Sequence, residues 1–293
     1  MFSAFFGNYI LNKGLVSAED LSKVLKNQKE TRLKLGVLAI NAGFMNAIQV
    51  QEIHELQAKM DKRFGELAIE KNYLSKEQLD LILKQQKSEH LILAQALIDE
   101  NLMSMSTFEK ELVEYKSTHS LTDEQFDALK DGNVDIVVNT FLSFEEDHEM
   151  SNYYRDYVSL LFKNIIRFID SDVRIEAAEA ISSMQSPYMF TQKITGETQL
   201  VTSIVGDSET LITFAGKYAD ETFTTMDAYA KDSIGEFLNL HNGLFTVNMS
   251  NRGIELDLTV QACQENTTLK ADKVFYRIPF YLSFGEFDLV IGL

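Results

Sequence analysis

Small residues recur with a period of 29 positions through the first 116 residues of the chain. One series is Gly or Ala, at Gly7, Gly36, Gly65 and Ala94. A second series, seven positions later, is Gly or Asn, at Gly14, Gly43, Asn72 and Asn101. The four segments align without gaps, and self-similarity at a fixed period indicates a repeat architecture. The pattern therefore predicts four copies of one structural unit.

Each unit has the hydrophobic pattern of two short helices. Gly or Asn in the second series tolerates a positive φ and is suited to end the first helix. Two apolar residues follow, and then a residue of a type that caps helix N-termini, at Ser17, Asn46, Ser75 and Ser104. The segment from Ser75 to Gln78 also has the form of a capping box. We predict eight short helices in four hairpins over residues 1–116, stacked to cover one another's apolar stripes.

Residues 117–150 form a predicted connector that is partly helical and partly acidic. A capped helix start is predicted at Thr122, and an acidic cluster runs from Glu145 to Glu149. Adjacent carboxylates on one short segment rarely converge on one ion, and the five histidines of the chain have no ligand spacing. We therefore expect a solvated acidic loop and no metal ion bound by this chain.

The pattern changes in residues 151–293 to helix followed by strands. Helical periodicity extends from Tyr154 to Asp170. Alternation typical of strands follows, most clearly in LFTVNM, GIELDLTVQA and FYLSFGEFDLVIGL, with SNRG as a predicted hairpin turn. We predict an α+β fold overall, in which a helical repeat domain precedes an antiparallel sheet with two long helices.

The second of these long helices has two distinct faces. Apolar or aromatic positions cluster on one side, at Ala230, Ile234, Phe237 and His241. Asp232, Glu236 and Asn239 cluster on the other side, at spacings of four and three residues. From spacing alone, a solvated helix face is the favoured interpretation of these three polar residues.

Composition and charge restrict the classes of partner. The 293 residues are 45% apolar and carry a net charge of −17, with no apolar run that could span a membrane. Residues 117–293 hold 28 acidic against 12 basic side chains, so nucleic acid and anionic lipid are disfavoured as partners. The start of the chain lacks the features of a signal peptide and Cys263 is the sole cysteine, so we expect a cytoplasmic protein.

The repeat resembles the MshEN domain, the N-terminal domain of type II secretion and type IV pilus ATPases. The resemblance covers roughly residues 4–116 as two tandem pairs of motifs, and it implies cyclic di-GMP as a ligand. The matching positions are Gly7, Gly14, Gln28, Gly36, Gly43, Gln57, Arg63 and Gly65. Of the four positions that match the nucleotide-binding arginine of the family, only Arg63 is an arginine. We therefore expect cyclic di-GMP to bind weakly or not at all.

The region from about residue 152 to 293 resembles the chemotaxis phosphatases of the CheX/CheC/FliY group, most closely CheX. The order of elements carries the resemblance, together with the motif Asp232, Glu236 and Asn239 and an LDLT-containing hairpin. Residues 154–170 have no Glu-x-x-Asn, which implies one site per chain. The proline that follows the motif in the family is Ala262 here, so the strand lacks its expected end.

The resemblance implies hydrolysis of the aspartyl phosphate of a response-regulator receiver domain. Asn239 would orient the attacking water, Glu236 would pair with a lysine of the receiver, and Asp232 would extend the docking contact. Mg²⁺ is expected on the receiver, and no cofactor on this chain. A non-enzymatic adaptor that binds receivers or responds to cyclic di-GMP is the alternative function. Whether the chain pairs with a second copy as a homodimer stays open. The predicted domains are residues 1–116, 117–150 and 151–293.

Overall fold

The computed structural model describes residues 1–28, 31–57, 59–60, 62–83, 88–144 and 148–293, except for the side chains at 148–149 and 271–273. The chain divides into two compact units, one of residues 2–132 and the other of residues 133–293 with Met1. The predicted connector is thus shared between the units, and its acidic cluster lies outside the described side chains. The α+β fold class is confirmed: helices precede an antiparallel sheet with further helices.

The described residues of the first unit form helices joined by turns and loops, with no strand among them. Its helices are α1 (Phe2–Asn12), α2 (Ala18–Asn27), α3 (Leu35–Asn41), α4 (Ala47–Gln57), α5 (Phe64–Glu70), α6 (Lys76–Leu83), α7 (Glu89–Asp99), α8 (Met105–Thr118) and α9 (Asp123–Asp131). Helices α1 to α8 are the eight predicted from the 29-residue period. Helix α9 begins after Thr122, whose side chain accepts a hydrogen bond from the backbone N–H of Gln125, as its capping pattern predicts.

The turn and cap positions of the repeat have the predicted geometry. All four residues of the second series have a positive φ, between 57° and 70°, at Gly14, Gly43, Asn72 and Asn101. The capping side chains accept hydrogen bonds from backbone N–H groups one turn later, at Ser17, Asn46, Ser75 and Ser104. Local sequence chemistry therefore determines where each helix of the repeat begins and ends.

The first series of glycines has a different role, close packing of one helix against the next. A Cβ atom added at Gly36 would lie 2.5 Å from Val50 Cγ1, and one at Gly65 would lie 2.9 Å from Leu79 Cδ2. Both distances are shorter than van der Waals contact. The buried glycines therefore allow an approach between the paired helices of a hairpin that a side chain would prevent.

The second unit contains helices on a mixed-length antiparallel sheet. Its helices are α10 (Val134–Phe141), α11 (His148–Phe168), α12 (Ser208–Ala219) and α13 (Ala228–Ser250). Its strands are β1 (Arg174–Ile175), β2 (Glu179–Gly196), β3 (Leu200–Gly206), β4 (Leu256–Leu258), β5 (Ala262–Leu282) and β6 (Gly285–Gly292). The sheet order is β1-β5-β6-β3-β2-β4, and β2 also pairs with β5.

Two strand predictions in this unit are wrong. LFTVNM belongs to the last turns of α13, where Phe245 and Met249 are buried and Val247 is 58% exposed, the spacing of a helix rather than of a strand. SNRG accordingly begins at the last residue of this helix and does not join two strands. GIELDLTVQA is interrupted, because β4 ends at Leu258 and β5 begins at Ala262. The strand therefore ends without the proline that the family has there.

The core under α13 is aromatic. The Phe237 ring meets the rings of Phe214 and Tyr218 edge to face, with centroids 5.0 and 5.4 Å apart. Phe214 also meets Phe287 of β6. These contacts fix the rotation of α13 on the sheet, and that rotation decides which side chains of the helix face solvent. Among the described residues, no helix is both long and apolar enough to cross a membrane.

Candidate functional site

Helix α13 presents the predicted polar residues on its outer face. Its N-cap is Asp227, whose carboxylate accepts from the backbone N–H of Ala230 at 2.9 Å. The predicted inner face is confirmed, since four positions are fully buried, at Ala230, Ile234, Phe237 and His241. The helix therefore begins at a sequence-defined cap and lies on the sheet in the orientation that its apolar positions predict.

The three predicted site residues differ in their exposure. Asp232 and Glu236 are exposed, whereas Asn239 is half-buried. The structure brings all three to one side of α13, because spacings of four and three residues place side chains on adjacent turns. Asn239 thus lies where the outer face of the helix meets the sheet.

A buried glutamine holds the Asn239 side chain. Gln192 of β2 is fully buried, and its Nε2 donates to Asn239 Oδ1 at 2.8 Å and to the backbone oxygen of Thr259 at 2.8 Å. Both hydrogens of this amide are therefore used. Asn239 belongs to an ordered polar network, and the sequence prediction of a purely solvated side chain is wrong for it.

The network continues from Gln192 into the core. Asn242 Nδ2 donates to Gln192 Oε1 at 2.8 Å and to Thr202 Oγ1 at 3.1 Å. The Tyr157 hydroxyl donates to Asn242 Oδ1 at 2.6 Å, and burial raises the pKa of Tyr157 so that the hydroxyl keeps its proton. We name these residues the Gln192 network: Tyr157, Gln192, Thr202, Asn239 and Asn242. A satisfied buried network of this kind favours one arrangement of its side chains.

Glu236 lies beside the loop between β4 and β5. Gln261 Nε2 donates to Glu236 Oε1 at 3.4 Å, a long and weak contact. Burial raises the pKa of Tyr218, and the negative charge of Glu236 contributes in the same direction. The Glu236 carboxylate therefore remains accessible to a cation from outside the molecule.

Exposed apolar side chains share the outer face of α13 with these acids. They lie one to three turns from Glu236 and are between 36% and 77% exposed, at Tyr229, Leu240, Leu244 and Val247. Single exposed apolar residues are ordinary, but four on one helix face form a surface suited to protein contact. We call these four residues, together with Asp232, Glu236 and Asn239, the outer face of α13.

His241 belongs to the core and not to the site. Its Nδ1 lies 3.1 Å from Asn164 Nδ2, and its ring meets the ring of Tyr157 edge to face. Burial lowers the pKa of His241 to about 3, so the ring is neutral near pH 7. The described residues contain no group of three or more His, Cys, Asp and Glu side chains that could hold a metal ion.

The candidate nucleotide-binding positions are in the first unit and have structural roles there. Gly7, Gly36 and Gly65 are buried within helices. Gln28 Nε2 donates to Ser3 Oγ at 2.8 Å, and Gln57 Nε2 lies 3.4 Å from the backbone oxygen of Lys62. Two further positions, Gly14 and Gly43, end helices at a positive φ. Arg63 is exposed and precedes α5. A role in nucleotide binding stays a prediction for all eight.

Sequence reasoning missed two features of the second unit. Gln192 is 47 positions from Asn239, and nothing in its local strand pattern indicates that the two amides meet. Helix α11 also begins at His148, earlier than the predicted Tyr154, so that Glu149 and Asn152 fall within it at the Glu-x-x-Asn spacing. The absence of a Glu-x-x-Asn motif, from which one site per chain was expected, therefore holds for residues 154–170 and not for the whole of α11.

Comparison with known proteins finds similarity in structure. No family model matches the chain, and no curated protein matches it. Solved structures of chemotaxis proteins resemble about half of it. CheX from Desulfovibrio desulfuricans is 15% identical, with 48% of this chain and 99% of that chain covered and a TM-score of 0.43.

Two further solved structures are similar over the same share of the chain. A CheX-CheY-BeF3-Mg²⁺ complex from Borrelia burgdorferi gives 16% identity, coverage of 48% and 96%, and a TM-score of 0.41. FliY from Thermotoga maritima gives 11% identity, coverage of 50% and 91%, and a TM-score of 0.36. The resemblance of the helical repeat to the MshEN domain stays a prediction from the sequence.

Proposed function

We propose that this protein hydrolyses the aspartyl phosphate of a receiver domain of a response regulator. The observation that carries the proposal is the pairing of an exposed carboxylate, Glu236, with an amide, Asn239, that is held in place from behind by Gln192. Both side chains occupy the motif positions that the sequence resemblance implies. The proposed substrate is therefore another protein.

The chemistry requires little from this chain beyond positioning. In the reaction a water oxygen forms a bond to phosphorus, the bond from phosphorus to the aspartyl oxygen breaks, and the products are inorganic phosphate and a free aspartate carboxylate. Such a phosphoryl transfer is accelerated mainly by alignment and by electrostatic stabilisation. Asn239 would hold the water in line, while the receiver brings the acyl phosphate and its Mg²⁺.

Glu236 would act in recognition. Its exposed carboxylate is placed to accept a charge-assisted hydrogen bond from a lysine of the receiver, one helical turn from Asn239. Asp232 would add a second acidic contact a further turn away. Because Glu236 and Asn239 are on one rigid helix, the ion pair between Glu236 and the receiver lysine would also fix the position of the Asn239-bound water relative to the phosphorus atom.

The outer face of α13 supports a protein substrate. The groups on this helix face are in contact with bulk water. The high dielectric constant of water weakens the electrostatic effect of an amide on a reaction. A docked receiver would exclude that water, and the apolar side chains of Leu240, Leu244 and Val247 would be buried by it. The site would therefore be complete only in the complex.

Decay of phosphorylated receivers with and without this protein tests the proposal. We expect faster decay of at least one receiver, and no acceleration by a chain that carries both Glu236→Ala and Asn239→Ala. A matched control is Asn248→Ala, which removes an exposed asparagine from the same helix. Receiver binding without acceleration by the unmodified chain would instead establish the adaptor.

A further inference from the structure

We infer that Gln192 is a positioning residue that sets the direction of the Asn239 amide. The inference rests on the proposed function, since it assigns Asn239 a water to orient. Gln192 would not touch the substrate. Its role would be to give the Asn239 carboxamide one plane and one polarity, with Oδ1 facing the sheet and Nδ2 facing out.

The direction of the hydrogen bonds in the Gln192 network, from donor to acceptor, is fixed by one group that can only accept. The backbone oxygen of Thr259 can only accept a hydrogen bond, and it lies 2.8 Å from the Gln192 amide. The Gln192 side chain must therefore present Nε2 on this side. Rotating the amide by 180° would place Oε1 against the Thr259 oxygen, so two acceptors would face each other.

The same amide then determines the orientation of Asn239. Because Nε2 of Gln192 is a donor, the Asn239 atom 2.8 Å from it must be the acceptor Oδ1. Among the residues that the structure describes, none accepts a hydrogen bond from Asn239 Nδ2. The nitrogen and the second lone pair of Oδ1 are therefore available on the outer face of α13.

The opposite end of the network supports this polarity. Asn242 Nδ2 donates to Gln192 Oε1, and the Tyr157 hydroxyl donates to Asn242 Oδ1. Thr202 Oγ1 donates to the backbone oxygen of Gln192 at 3.1 Å and so can accept from Asn242. From Tyr157 through Asn242 to Gln192, each donor of the network faces an acceptor, and the Gln192 amide in turn donates to Asn239 Oδ1. Rotating the Gln192 amide would oppose like atoms at Asn239, at Asn242 and at the Thr259 oxygen, and rotating the Asn239 amide would oppose two donors at Gln192.

This arrangement would matter for catalysis because an asparagine amide without such a partner is free to rotate. A freely rotating amide would hold a water in the reactive position for only a fraction of the time. Misplacement of a reacting group by about 1 Å can lower a rate by about 100-fold. A buried partner that fixes the amide before the receiver docks would remove that loss.

The substitution Gln192→Glu tests the direction of the amide with little change in shape. The ionised carboxylate offers only acceptors to Asn239 and Thr259, so Asn239 would turn its Nδ2 inward. The hydrogen-bond partners of the Gln192 side chain are Asn239, Asn242 and the Thr259 oxygen, and none is charged. Burial without a cation raises the pKa of a carboxyl, and its protonated form can donate to Asn239 again.

The expected kinetics separate positioning from binding. At pH 8 we expect Gln192→Glu to lower kcat by about 100-fold with KM unchanged within about twofold. Activity should recover as the pH is lowered, after correction for the decay of the receiver alone. The matched control is Asn164→Asp, which places an acid at another buried amide outside the network. It should leave kcat and KM at pH 8 as in the unmodified chain.

Nuclear magnetic resonance of the side-chain amides tests the geometry without a receiver. We expect slow exchange for the Gln192 amide hydrogens and fast exchange for those of Asn239 in the full chain. In Gln192→Glu at pH 8, the Asn239 hydrogens should become protected. Unchanged Asn239 signals in this variant would overturn the inference.

The two proposals can fail separately. If the unmodified chain accelerates decay and Gln192→Glu has the same kcat at every pH, the positioning role is wrong and the phosphatase stands. If Gln192→Glu changes kcat only as much as Asn164→Asp does, the role of Gln192 is structural. If no receiver is a substrate, the proposed function fails, and the amide spectra still decide whether Gln192 orients Asn239.

Discussion

At the scale of single residues, Asn239 and Glu236 should respond differently to truncation. Asn239→Ala removes an amide that would act mainly in the transition state. We expect it to abolish most receiver dephosphorylation while receiver affinity stays nearly unchanged. Phosphate decay and affinity measured with one cognate receiver check this. Equal acceleration by Asn239→Ala and the unmodified chain would show that the assigned site is wrong.

Asn239→Ala should also lower stability more than a surface substitution does. The change leaves one hydrogen of the buried Gln192 amide without its acceptor, which costs about 1 kcal/mol. The exposed control Asn248→Ala should change the free energy of unfolding by less than about 0.5 kcal/mol. Urea unfolding of both variants compares these values.

Glu236→Ala should weaken receiver binding as well as the rate. Its proposed role is an ion pair across an interface, and salt weakens such an attraction because the Debye length is about 10 Å at 0.1 M ionic strength and shortens as salt is added. The loss of affinity should therefore be larger at low salt than at high salt. Titrations at two salt concentrations measure the difference, with Glu209→Ala on α12 as an exposed control. An affinity loss that does not depend on salt would contradict the ion pair.

At the scale of elements, the two glycine series should tolerate substitution differently. A methyl group at Gly36 would lie 2.5 Å from the stiff side chain of Val50. We expect Gly36→Ala to lower stability by about 1 to 3 kcal/mol through overpacking. Gly43→Asn should be tolerated, because Asn72 and Asn101 adopt a positive φ at the equivalent positions. Urea unfolding followed at a helical circular dichroism signal would measure both, and equal losses would argue against this distinction.

The helical repeat should bind cyclic di-GMP weakly or not at all. Burial of Gly36 and Gly65 between paired helices gives these glycines a packing role that needs no ligand. Arg63 is the single arginine at the four matching positions, and residues 1–116 carry 15 basic against 16 acidic side chains. A dianion would find little net positive charge there. Calorimetric titration of the full chain should give no submicromolar binding, and such binding would contradict the prediction.

At the scale of the whole molecule, acid should destabilise the protein through buried neutral histidines. Burial lowers the pKa of His241 to about 3 and that of His90 to about 4, against an ordinary value of 6.5. Below pH 6.5 the unfolded chain binds protons at these positions and the folded chain does not. The free energy of unfolding should therefore fall as the pH is lowered from 6.5 towards 4.

The contribution of one histidine can be isolated by substitution. His241→Gln removes the ionisable ring, so the urea midpoint of this variant should fall less between pH 7 and pH 4.5 than that of the unmodified chain. Substituting the exposed His54 by Gln serves as the control and should leave the pH dependence unchanged. Identical slopes for His241→Gln and the unmodified chain would show that His241 does not carry the effect.

Features that depend on neighbouring residues could be predicted from the sequence alone. The 29-residue period predicted eight helices, and the capping and positive-φ residues predicted their ends, because these interactions span only a few positions. The inner and outer faces of α13 also followed from helical spacing. Alternation over six residues was a weaker signal, and LFTVNM was misassigned because burial at Phe245 and Met249 depends on what the helix packs against.

The support of the candidate site depends on tertiary packing. Packing places Gln192 of β2 against Asn239 of α13. It leaves Thr259 between β4 and β5, outside both strands, where its backbone oxygen accepts a hydrogen bond from the Gln192 amide. It also buries Asn242 and Tyr157 behind them. These contacts join residues up to 85 positions apart. Local pattern carries no information about such pairs, because their geometry exists only once the helices and strands have packed.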